Sequence, residues 1–106
     1  MKIYVANYGP HMNDSLKKLE DEGNELIKLT EGNVDVFGTD RLRYNIETIL
    51  KETEAGKDDL IILSGSPVIV AIATNLMKQM TGKLNIMIYG AKYKDYVKRE
   101  DVVWKT

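Results

Sequence analysis

The chain predicts an α/β fold, with a mostly parallel sheet sandwiched between layers of helix. Three observations predict it. Short β-rich runs alternate along the chain with stretches of helical spacing. Leu60-Ile61-Ile62-Leu63 is continuously apolar, as in a strand covered on both faces. Breakers stand at the joints: Gly9-Pro10, Gly23-Asn24, Gly56-Lys57 and Gly82.

Residues 2–7 alternate and are β-rich, which predicts the first strand. Asn13, Asp14 and Ser15 are good caps for a short helix through Glu22, with Leu16 and Leu19 facing inward. Gly23-Asn24 stops that helix, because both residues tolerate the left-handed conformation. Residues 25–30 read as a second strand around Leu26, Ile27 and Leu29. For residues 31–38, a hairpin with that strand and a long loop fit equally well. The Glu-Gly-Asn shared by 22–24 and 31–33 is turn chemistry, not a repeat.

From Thr39 or Asp40, Leu42, Ile46, Ile49 and Leu50 fall on one helical face, and Gly56-Lys57 ends the helix. Residues 60–63 form the third strand. Ser66 can cap the next helix, and Pro67 suits its first position. Residues 68–80 of that helix have little polar face, so more than one neighbour must cover it. In a small domain, the extra neighbour could be a second subunit. Residues 84–89 make a fourth strand, 90–95 a turn, and 96–99 a returning antiparallel strand. Val102-Val103-Trp104 is an apolar tail that could cover an edge or meet a partner chain. Right-handed crossovers and the apolar strands at 3–6 and 60–63 favour the order 2-1-3-4, with an antiparallel C-terminal edge strand. The expectation is one Rossmann-like or flavodoxin-like three-layer domain over residues 1–106.

Composition removes several functions. With 43% hydrophobic residues in 106, the chain can bury a core. It has no cysteine, hence no disulfide, thiolate metal site or cysteine nucleophile. One histidine and dispersed acids give no metal cluster. No apolar run approaches a membrane span, and the first seven residues are too short a run for a signal peptide. A cytoplasmic protein is expected. The net charge of −1 argues against a general nucleic-acid binder.

Chemistry in such a sheet belongs beyond the carboxyl ends of the strands, where the order reverses. That places Asn7, Tyr8 and His11 beside Ser64, Gly65 and Ser66 as candidate ligand-binding residues. Tyr89, Gly90 and Lys92 should lie to one side. Gly65 would let a backbone approach closely, and two serines at a helix start could cradle an anion or a nucleotide phosphate. The motif lacks the Gly-Lys-Ser/Thr ending of a Walker loop and is not the dinucleotide fingerprint. Alternatively, the turn simply joins strand to helix, with Ser66 as cap. His11 could act as an acid–base group or be solvated. A triad of Ser64 or Ser66 with His11 and Asp14 can be written, but the nucleophile-elbow glycine pattern is missing.

Thr39, Asp40 and Arg41 form a secondary candidate with Lys92, although Asp40 as a helix cap is the simpler reading. Residues 89–99 interleave tyrosines with basic residues. Single-strand nucleic-acid stacking competes there with an edge hairpin guarded by lysines, and the hairpin is simpler.

Leu29-Thr30-Glu31-Gly32-Asn33-Val34, Thr39-Asp40-Arg41-Leu42 and Leu63-Ser64-Gly65-Ser66-Pro67-Val68 resemble segments of small uncharacterised bacteriophage and prophage proteins. Asn85-Ile86-Met87-Ile88-Tyr89 with Tyr96-Val97 does so too. The resemblance implies a small accessory protein of viral or mobile-element origin and no particular activity. The first expectation is thus an accessory protein acting through self-association, as a homodimer, and protein contacts, with no catalytic set and no cofactor. The alternative is a module binding a small anionic ligand or nucleotide at the ends of strands 1 and 3.

Overall fold

Successive side chains of a strand face opposite ways, and here both sets are apolar, so both faces of the sheet require a cover. The computed structural model describes residues 1–102. The elements are β1 (Lys2–Val5), α1 (Asn13–Asp21), β2 (Glu25–Lys28), α2 (Thr39–Glu52), β3 (Leu60–Ile62), α3 (Pro67–Thr81), β4 (Asn85–Gly90) and β5 (Asp95–Arg99). The sheet order is β2-β1-β3-β4-β5, parallel except for β5, which runs antiparallel to β4 at the edge. This is the expected arrangement.

Ile3, Val5, Leu60, Ile62 and Met87 pack with Leu16 and Leu19 of α1. Tyr4, Ala6, Ile61 and Ile86 face the other way, onto Leu42, Ile46 and Leu50 of α2 and Ile69, Ala73 and Met77 of α3. One helix therefore covers one face and two cover the other. Val68, Val70 and Ile72 are half-buried against the second core, and α3 also touches α2. The sheet and α2 cover most of the apolar sequence of α3, with Ala71 and Met80 left exposed.

Polar groups fasten the lower end of the sheet. The Lys2 ammonium donates to the carbonyls of Thr53 and Glu54, both at 2.7 Å, just past the end of α2. A cation there satisfies free carbonyls and opposes the helix dipole. The Thr53 hydroxyl donates to Ile49 O, so the bond of 2.7 Å with Tyr4 is donated by the phenol. Burial raises the Tyr4 pKa above its usual value.

Several boundaries differ from expectation. The chain enters α1 through a 3-10 turn, Pro10–Met12, and Met12 occupies the cap position with no side-chain cap. Asn13, Asp14 and Ser15 all lie inside α1 and have other partners or face solvent. Gly38, not Asp40, precedes α2, and no side chain caps it. β2 ends at Lys28, α2 ends at Glu52, and Glu54 takes the left-handed turn (φ 55°) before Gly56 is reached. Residues 31–38 form a loop, with a single parallel bridge from Glu31 to Tyr8. The Val102 N–H donates to Leu84 O at 2.8 Å, while Val103 and Trp104 of the expected tail lie outside the described residues.

Candidate functional site

β1 and β3 are parallel neighbours, but the chain leaves them for opposite faces: β1 feeds α1, and β3 feeds α3. This is the reversal point at which open α/β sheets place their ligands. The two loops that start there are bonded to each other. The Asn7 N–H donates to Ser64 Oγ at 3.0 Å, and the same hydroxyl donates to the Asn7 carbonyl at 2.8 Å. The Asn7 side chain reaches the third loop, accepting from Thr30 Oγ1 (2.9 Å) and donating to Gly32 O (3.1 Å). Asn7 is thus the hub of three loops.

Gly65 is required by two facts together. Its φ is 88°, and a Cβ on it would lie 2.5 Å from the Cβ of Asn7. The close approach is to Asn7 rather than to a ligand. Ser66 takes an extended conformation and accepts from Val68 N–H at 3.1 Å, the capping role, with Pro67 at the first helical position. Tyr8 is held between a donated bond to Asn13 Oδ1 and the Lys28 ammonium, 3.8 Å from its ring centre.

Beside this junction lies a cleft of about 360 Å³. His11, Met12, Asp14 and Ser15 form one wall. Ile62, Leu63 and Ser64 form the base at the end of β3, and Tyr89 and Tyr96 form the other wall. The wall exists because α1 covers β1 and β3 on this face, whereas β4 and β5 continue beyond it. Gly9 lets the His11 ring fold over the backbone, since a Cβ there would sit 2.8 Å from the imidazole.

Ser15 links the walls. Its hydroxyl donates to Met12 O at 3.0 Å, so the 3.0 Å contact with Tyr96 is donated by the phenol. The Lys18–Asp95 bond, at 2.9 Å, makes a second tie between α1 and β5. Lys18 is the first cause holding the Asp95 carboxyl below its usual range, and Asp95 in turn raises Lys18. Tyr89, 49% exposed, meets Tyr96 edge to face, with ring centres 5.4 Å apart and planes at 68°. A planar or compact organic group could therefore lie on Tyr89.

The six first-rank candidates divide. His11 and Ser64 line the cleft; Asn7, Tyr8, Gly65 and Ser66 build the loops around it. The Ser64 proton is directed to Asn7 O, so the hydroxyl is not paired with His11 as a nucleophile would be. In the secondary group, Arg41 borders a hollow of about 250 Å³ with Asp35 and Asn45. Thr39 and Asp40 open α2, and Lys92 is exposed in the β4–β5 turn, 5.8 Å from the Tyr93 ring centre. Sequence reasoning missed Ser15 and Tyr96. The available signal was alternation, since pairing Tyr89 with Tyr96 puts both on the face of Met87.

Among the described residues, no three His, Asp or Glu side chains are grouped to hold a metal ion. No described helix is long and apolar enough to cross a membrane. No family model, curated protein or solved structure matches the chain.

Proposed function

We propose that this chain is a small-molecule-binding module whose site is the cleft between the start of α1 and the carboxyl ends of β3 and β4. The observation that carries the reading is placement. An open, mixed polar and apolar hollow stands beside the reversal point of the sheet, near where open α/β sheets hold their ligands. Its volume of about 360 Å³ suits a small metabolite or part of a larger one. The half-exposed Tyr89 ring, His11 and Asp14 supply the orienting groups.

A phosphate is a poor fit to this lining. Among the described residues no lysine or arginine borders the cleft, Asp14 would repel an anion, and Ser64 and Ser66 are already bonded within the chain. A thermal-shift screen of neutral, cationic and anionic metabolites tests the reading, with Tyr89→Ala as control. Stabilisation of the wild type that the variant loses is expected. Stabilisation by no class of compound, or equal stabilisation of both proteins, would overturn it.

A further inference from the structure

Asp14 and Tyr89 together specify a ligand class. Resting on the cleft as a binding site, we infer that it takes an organic ammonium ion, a cationic nitrogen on a compact apolar body. Among the described residues of the lining, Asp14 is the one carboxylate and no lysine or arginine stands beside it, and it belongs to none of the ion pairs among the described residues. The nearby pair Lys18–Asp95 is mutually neutralised.

Tyr89 and Tyr96 line the same cleft as Asp14, their rings at 68° to one another in an aromatic corner. The ring quadrupole attracts a cation over its face, and a weakly hydrated ammonium loses little water on entering such a corner. The exposed apolar area of the Tyr89 ring suits the body of the ligand as well as its charge. A carboxylate and an aromatic corner lining one cleft both favour positive charge, and a neutral ligand would leave the carboxylate unused.

An amide NMR titration decides the point with choline and its neutral isostere dimethylbutanol, in which a quaternary carbon replaces the nitrogen. Choline should move the amides of Asp14, Ser15 and Tyr89 and bind about ten-fold tighter than the isostere. Asp14→Asn, at an exposed position, should bring choline down to the isostere's affinity. Tyr89→Leu keeps an apolar wall and should weaken choline more than the isostere. Equal binding of the two probes to wild type, or stronger shifts of these amides with inorganic phosphate, would overturn the ammonium class. If choline leaves them unmoved while neutral compounds shift them, the class is wrong and the site stands. If nothing shifts them, both readings fall.

Discussion

The Ser64 hydroxyl closes a two-bond ring with the Asn7 backbone, accepting its N–H at 3.0 Å and donating to its carbonyl at 2.8 Å, across 57 positions of sequence. One side chain thereby satisfies both polar groups of a half-buried peptide where the sheet ends. Ser64→Ala leaves both without that partner and should cost about 1–3 kcal/mol. A urea unfolding midpoint lowered at unchanged slope is the expected reading.

Gly65 and Gly23 separate strain from collision. Both have left-handed backbones, with φ of 88° and 95°, but nothing lies within 4 Å of a Cβ built on Gly23. Gly23→Ala should cost only the conformational penalty of about 1–2 kcal/mol. Gly65→Ala adds the collision with Asn7, a further ~1–3 kcal/mol. Equal losses in the two variants, measured by denaturant unfolding, would contradict the account of the loop junction.

Ser66 and Asp40 make a second matched pair. Ser66 caps α3 through its bond to Val68 N–H, whereas Asp40 lies inside the first turn of α2 and caps nothing. Ser66→Ala should lose about 1 kcal/mol. Asp40→Ala should lose only the dipole contribution, about 0.3–1 kcal/mol, and less at high salt. Denaturation at two salt concentrations distinguishes them.

The Lys18–Asp95 tie predicts a pH dependence of definite sign. Asp95 has a folded pKa depressed below its usual 3.8, chiefly by Lys18 and then by the Tyr96 N–H. Its contribution is present above 3.8 and is lost as pH falls through the lower folded value. Lys18 is raised above its usual 10.5, chiefly by Asp95, so its contribution is present below 10.5 and is lost as pH rises through the higher folded value. Asp95→Asn should therefore lower stability at neutral pH and low salt. The gap from wild type should close on strong acidification, and also in high salt, because the pair is exposed. Unfolding midpoints across pH measure it.

The residues that announced the fold carry local signals. Ser66-Pro67 marks a helix start in any context, and Leu42, Ile46, Ile49 and Leu50 declare a face by spacing alone. The continuous apolar run at 60–63 placed its strand at the centre. What stayed hidden depends on distant partners. Ser15 had the chemistry of a cap, and only the arrival of Tyr96, 81 positions away, shows why its hydroxyl serves elsewhere. Asn13 accepts from a near neighbour in sequence, Tyr8, rather than capping. The reversal point was legible because strand order follows from burial. The cleft was not, because its second wall exists only once β5 pairs beside β4 and sets Tyr89 against Tyr96. The serines that suggested an anion cradle were correctly placed in the sheet, but their hydroxyls bond within the chain.

The central claim, that the cleft beside Ser64 receives a small molecule, is tested most directly by amide NMR mapping of a fragment set. The account predicts that binding fragments shift the amides of residues 11–15, Ser64 and Tyr89 as one cluster, and that Tyr89→Ala weakens them all. Fragments that cluster elsewhere, or that bind Tyr89→Ala as tightly as wild type, would contradict it.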